Sequence, residues 1–251
     1  MNPTTRPATG DQRNERARRL SAGRTAAAAT ARRRHRVRVG LAAGTAVALV
    51  VGLGVAVQAS RDSVDAPTGD PRGVVGGAVS LGAPGAPVVV TVYEDFLCPA
   101  CRAADGVLGA TYDDLIEQEA IQLEHKPIAI LDGYSTDRYS SRSLNATACV
   151  VDSAPAAFPA FHDALFAAQP AEGGPGLSDS RLTELAEQAG APGVGSCIAG
   201  ERYAGWARST TDAASRAGVN STPTILVDGT PLREWTDEAL RTAVTAARAN
   251  A

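Results

Sequence analysis

The sequence predicts an α/β domain with an inserted helical subdomain, preceded by one N-terminal transmembrane helix. Three observations point to it. An uncharged apolar run fills residues 39–59. A β-rich run over residues 87–93 leads into a helix opened by Cys98-Pro99-Ala100-Cys101. An Ala-rich stretch of helical spacing separates that unit from a second strand beginning at Pro223. With 44% apolar and only 4% aromatic residues in 251, the core must be built from Ala, Val and Leu, and wholesale disorder is excluded. The net charge of −3 conceals two opposed segments. Residues 1–38 hold eleven Arg against Asp11 and Glu15, a net +9, which leaves 13 basic and 25 acidic residues, a net −12, for the remainder. A basic tail on an acidic body argues against a protein that coats nucleic acid.

Residues 1–38 read as a disordered cytoplasmic tail, rich in Pro, Thr, Ala and Gly and lacking aromatic residues that could stack on bases. Val39 to Ala59 follows, twenty-one uncharged residues. At about 1.5 Å per residue this suffices to cross a hydrocarbon core of roughly 30 Å. The alternative is a signal peptide cleaved after Val57-Gln58-Ala59. The long N-terminal extension and the length of the run favour an anchor. Arg32, Arg33, Arg34, Arg36 and Arg38 crowd one flank while Arg61 and Asp62 nearly cancel on the other, so the N-terminus is expected inside and the rest of the chain outside the cytoplasmic membrane. Residues 60–77, rich in Pro, Gly and Asp, read as a flexible linker, and the folded domain is expected over residues 78–248.

All four cysteines lie beyond the span, where disulfides persist. Cys98 and Cys101 form C-x-x-C at the junction of the strand Pro87–Tyr93 and a helix in which Pro99 suits the first turn. There the free backbone N–H groups and the positive end of the helix dipole favour a thiolate, the attacking form in disulfide exchange. One alternative is half of a zinc site completed by Cys149, Cys197, His125 or His162, but structural zinc draws on a second closely spaced ligand pair and none is present, so no metal is expected. Another is an inert buried disulfide. Further on, Val219-Asn220-Ser221-Thr222-Pro223-Thr224-Ile225-Leu226-Val227-Asp228-Gly229 places a Pro at the start of a strand, where its missing N–H costs no ladder bond.

The strand, the Cys98-Pro-Ala-Cys101 helix start and the later Thr222-Pro223 strand together resemble the DsbA-like branch of the thioredoxin-fold thiol-disulfide oxidoreductases. The wording GAPGAPVVVTVYEDFLCPAC of residues 82–101 is similar to that of its single-pass, membrane-tethered bacterial members. The resemblance covers about residues 78–248 and implies a thioredoxin-like fold. It implies that Cys98 is the nucleophile, that Cys101 is the resolving cysteine, and that Thr222-Pro223 forms a cis-proline loop whose backbone binds substrate. Glu94 and Asp95 occupy the region where relatives carry an acidic group that assists proton transfer to the buried cysteine. The alternative is ordinary strand-end charges, and the residues do not choose between the two. Strong oxidases of the family carry His at the position of Ala100. Ala cannot help stabilise a thiolate, so a less depressed Cys98 pKa and a less oxidising disulfide are expected.

Between a strand expected over Ile121–Ile130 and Val219, helices are expected at about Arg138–Asp152, Pro155–Ala168, Ser178–Ala189 and Tyr203–Ala217, an insertion spanning about 136–217. Cys149 lies on the first and Cys197 near the start of the last, and a structural disulfide is expected there, with two buried free thiols as the alternative. Phe158, Phe161 and Phe166 read as core or groove-lining residues rather than a ligand box. His125 and His162 read as isolated structural histidines. Asn145-Ala-Thr147 and Asn220-Ser-Thr222 match the glycosylation pattern but are discounted as chance triplets. The expected activity is thiol-disulfide exchange without a metal or organic cofactor, acting on exported protein thiols or disulfides. A membrane quinone-linked reoxidase is a partner implied by the family alone. The alternatives are a tethered reductase or isomerase, and a non-redox binding module or chaperone.

Overall fold

The computed structural model describes residues 69–249. The basic tail, the expected span at 39–59 and the first part of the linker lie outside these residues. Among the described residues no helix is long and apolar enough to cross a membrane.

Six strands form one sheet in the order β1 (Val74–Val75), β2 (Ala78–Leu81), β4 (Ile121–Pro127), β3 (Val88–Glu94), β5 (Thr224–Val227), β6 (Thr230–Pro231). β3 and β4 run parallel from Val88↔Ile121 to Glu94↔Pro127, and the other pairs are antiparallel. β3 is covered on both faces, which accounts for its near-continuous Val-rich run. β4 instead alternates, burying Ile121, Leu123, His125 and Pro127. It ends at Pro127, three residues before the expected Ile130, because proline offers no N–H to extend the ladder.

The parallel pair β3–β4 is joined by α1 (Pro99–Glu117), whose stripe Cys101, Ala104, Leu108, Tyr112 and Leu115 faces inward. The C-terminal helix α7 (Asp237–Ala249) adds Leu240 and Val244 to the same core. The β5–β6 hairpin turns at Asp228-Gly229, both at positive φ (46° and 76°), the backbone of a two-residue primed turn. Asp228 also accepts the Val89 N–H at 2.8 Å and so fastens the hairpin to β3.

Between β4 and β5 lies the helical insertion: α2 (Tyr139–Ser153), α3 (Phe158–Ala167), α4 (Asp179–Gln188), α5 (Gly195–Ala199) and α6 (Ala204–Arg216). Phe158, Phe161 and Phe166 are buried in its core. Ser178 caps α4 by accepting the Arg181 N–H. The expected second helix begins as a single 3₁₀ turn at Pro155–Ala157. Cys197 sits not on the last helix but on the short α5, which the sequence reading did not separate. Asn145 is buried, its amide donating to the Ile198 carbonyl and its oxygen accepting the Tyr203 N–H, so it is a packing residue.

The expected boundary between a flexible linker ending at residue 77 and a domain starting at residue 78 requires correction. Ordered structure begins before Ala78, because Val74 and Val75 pair with Val79 and Ala78, and Val74 is buried. Arg72 is also held, with its N–H and guanidinium on Asp152 at the end of α2.

Candidate active site

The sheet brings two loop ends together at the carboxyl end of β3. Cys98 is the N-cap of α1, with extended backbone (φ −74°, ψ 114°), Pro99 in the first turn and no side-chain cap. Its own carbonyl accepts from the N–H groups of Cys101 (3.1 Å) and Arg102 (3.3 Å). Facing it, the Thr222–Pro223 peptide is cis, and the Cys98 thiol donates to the Thr222 carbonyl at 3.4 Å. This contact joins residues 124 apart in sequence. Both thiols are free and buried. The Cys101 thiol, followed by the Thr222 side chain and the backbone N–H groups of Cys101 and Ala100, holds the Cys98 pKa down at about 6 against the opposing effect of burial. Burial and the neighbouring Cys98 push Cys101 far above the ordinary thiol range. The first thiol is thus poised as an anion, and the second stays protonated.

Glu94 and Asp95, adjacent in sequence, separate cleanly. Asp95 accepts from the Leu97 N–H (2.9 Å), the Leu131 N–H (3.0 Å) and the Ser140 hydroxyl (2.7 Å), so it ties the end of β3 to the insertion. Burial raises it to about 6 although those hydrogen bonds pull the other way. Glu94 points to the opposite side and, with Cys101, Asp105, Tyr112, His125 and Pro223, lines a cavity of about 10 Å³, close to the room one water needs.

Beneath that cavity the structure assembles what the sequence reading had left apart. His125 and His162 are not isolated: His125 Nδ1 lies 2.9 Å from Glu94 Oε1, and His162 Nε2 lies 3.1 Å from both Glu94 oxygens. All three side chains are buried. Burial disfavours the carboxylate, yet the His162 and His125 charges and hydrogen bonds outweigh it and hold Glu94 well below its usual range. Burial likewise opposes the imidazolium, but Glu94 raises His162 to about 10. The signal for both histidines was present. His125 falls on the buried register of β4, and His162 sits in the α3 stripe Phe158, Phe161, His162, Leu165, Phe166. A histidine on an apolar stripe needs a buried partner, and Glu94 is that partner.

Sequence reasoning also missed Gln169, just past α3. Its amide donates to the carbonyls of Phe96 (3.1 Å) and Cys98 (2.9 Å), so the insertion fixes the backbone of the cysteine loop. Cys149 and Cys197 are joined by a disulfide with Cα atoms 6.0 Å apart, and so cannot complete a metal site with the C-x-x-C pair. A larger groove of about 560 Å³ lies between the β5–β6 hairpin and α7, but no cysteine lines it.

A strand running into a helix N-terminal C-x-x-C, with a cis-proline loop across from it, defines a dithiol protein of thioredoxin architecture. The thioredoxin family model matches residues 75–246, and the chain belongs to that family, as a DsbA-like member. It is 36% identical to oxidised DsbA of Mycobacterium tuberculosis (TM-score 0.61), covering 68% of this chain and 92% of that one. Reduced DsbG, a disulfide bond oxidoreductase of the same organism, is also 36% identical (TM-score 0.61; 70% and 94% covered). BdbD of Bacillus subtilis, at 21% identity and TM-score 0.62, shares the fold. Among curated proteins the chain is 28% identical over 173 residues to the serine/threonine-protein kinase PknE of Mycobacterium tuberculosis. The match takes in 65% of this chain and spans 31% of that kinase.

Proposed function

We propose that this protein is an extracytoplasmic thiol-disulfide oxidoreductase that introduces disulfides into exported proteins through Cys98 and Cys101. The observation that carries the reading is the placement of Cys98, a helix N-cap thiol 3.4 Å from the carbonyl of a cis Thr222–Pro223 peptide, with Cys101 one turn deeper. In the oxidised protein a substrate thiolate attacks Cys98, the Cys98–Cys101 bond breaks, and Cys101 leaves as a thiolate that must be protonated. The backbone at Thr222-Pro223 receives an extended substrate segment as a strand would. Attack by the substrate's second thiol on the mixed disulfide releases the oxidised substrate and leaves Cys98 as a thiolate, the form its low pKa favours. Glu94, on the cavity beside Cys101, is the acidic group for proton transfer, and Asp95 is a structural tie. No organic cofactor or metal takes part. Electrons pass to a membrane reoxidase linked to quinone, and residues 39–59 hold the domain at the outer face of the cytoplasmic membrane with the basic tail inside.

Trapping thiols in growing cells with a mass-tagged alkylating reagent tests the direction. Cys98 and Cys101 mostly oxidised supports this reading; a mostly reduced pair would instead identify a membrane-tethered reductase or isomerase.

A further inference from the structure

The reading of Cys98 and Cys101 as an exchanging pair requires that a buried proton leave and return, and the following inference rests on it. We propose that His162, carried by the helical insertion, is the counter-charge that lets Glu94 take and return the Cys101 proton, exchanging its own proton with solvent beside Asp163.

The ring bridges the inside and the outside of the molecule. His162 Nε2 is 3.1 Å from the Glu94 oxygens, both side chains being under 5% exposed, while Nδ1 lies 3.6 Å from the carboxylate of Asp163, whose side chain is 78% exposed. A carboxylate faces each nitrogen, an arrangement that favours the imidazolium over the neutral ring. The inner end reaches the thiol because Glu94 and Cys101 share one cavity. Tyr112 lines it too, and its buried hydroxyl has no hydrogen-bond partner among the described residues.

The charged and titratable groups facing His162 come from three elements: Glu94 on β3, Asp105 on α1, and His125 on β4, whose ring centroid is 4.5 Å from that of His162, besides its neighbour Asp163 on α3. Asp105 is raised by burial, whereas the adjacent His162 holds Asp163 low, so Asp163 is the carboxylate that stays charged beside Nδ1.

When Cys101 attacks the mixed disulfide at Cys98, its S–H bond breaks, its electron pair forms the Cys98–Cys101 bond, and the partner leaves as a thiolate. The Cys101 proton passes through the cavity to Glu94, and His162 releases its Nδ1 proton to water. The carboxylate gains a proton as the imidazolium loses one, so the pair stays neutral throughout. In the oxidase direction the same two transfers reverse. A buried carboxylate with no counter-charge would carry its full desolvation cost in one of the two states. His162 acts through Glu94 and is a positioning residue.

Reduced full-length protein mixed with 5,5′-dithiobis(2-nitrobenzoate) releases one thionitrobenzoate when Cys98 attacks and a second when Cys101 resolves the mixed disulfide, which separates the steps. With His162→Gln the second release is expected to slow about a hundredfold at pH 7, while the first stays within about twofold. Its rate should also climb about tenfold per pH unit, because hydroxide must then take the proton, whereas the wild-type profile is flatter. Asp163→Asn should slow the second release about threefold to tenfold, and Asp163→Glu should restore it. Because the Asp163 side chain is exposed, this pair decides the matter should His162→Gln fail to fold. A second release at the wild-type rate and pH profile in both His162→Gln and Asp163→Asn overturns the proposal, as does slowing by Asp105→Asn but not by Asp163→Asn. Wild-type protein that never yields the second release would overturn the underlying reading of the cysteine pair instead.

Discussion

The molecule holds two cysteine pairs, both largely buried, and their surroundings assign them opposite tasks. Cys98 and Cys101 stand one helical turn apart at the open end of α1, beside the Thr222 carbonyl that precedes the cis proline and above a charged cavity. Cys149 and Cys197 are 48 residues apart, and Cys149 is packed inside the insertion core. In the chain-entropy model, closing the short ring constrains the unfolded chain by only about 2 kcal/mol, against about 4 kcal/mol for the long one. The first pair therefore gains little stability by staying closed, and its N-cap thiolate makes opening easy. The second has a large loop to constrain. Sequence separation and helix position, rather than burial, distinguish a working pair from a fastening.

Substitutions can break or sharpen this contrast. Cys98→Ser should abolish disulfide exchange outright in an insulin-reduction or peptide-oxidation assay while leaving the melting transition intact, whereas Cys149→Ser with Cys197→Ser should leave exchange rates within about twofold.

Glu94→Leu removes the buried carboxylate that both His125 and His162 contact, at an expected cost of about 3–5 kcal/mol by urea unfolding. The wild-type pH dependence has a definite sign. Glu94 is depressed in the fold, so its share of stability is present above its ordinary value of 4.5 and lost as the pH falls. His162 is raised to about 10, so its share is full below its ordinary 6.5 and lost as the pH rises through 10. The pair therefore stabilises most between those two ordinary values. Glu94→Leu should flatten both flanks, which equilibrium unfolding across pH would reveal.

Removing the Cys149–Cys197 disulfide should cost up to about 4 kcal/mol in the same assay. An unchanged midpoint would mean that the insertion does not need its fastening.

The smallest effect concerns Ala100. Thiolate absorbance of the reduced protein should titrate with a midpoint near pH 6, above the roughly 3.5 of strongly oxidising DsbA, and the potential should lie below about −120 mV. Ala100→His should lower the midpoint by at least about one pH unit and make the disulfide more oxidising, since a cation close to the sulfur favours the anion.

Much of the sheet was legible because its signals are local. The Val-rich run of β3, the Pro99 helix start and Pro223 at the head of β5 each state their role within a few residues. β1 and α5 were not legible, since two and five residues carry no periodicity. The choice between Glu94 and Asp95 required three dimensions. The two side chains leave a strand on opposite faces, and only the packed fold shows that one face holds two histidines and the other a set of backbone donors. Gln169 gave no signal, because a polar residue just beyond a helix is ordinary until its carbonyl partners are known.

Under the proposed function, those Gln169 contacts bear on which client segments could be served. The Cys98 carbonyl is gripped by three donors, two from α1 and one from the insertion, and Pro99 fixes the next φ. The receiving surface is therefore set in advance, and the ordering entropy of the encounter falls on the client segment. A loose, still-unfolded strand can meet that surface in an extended form. A cysteine already locked in a finished fold must first be pried out, so timing relative to client folding becomes a selection rule in its own right.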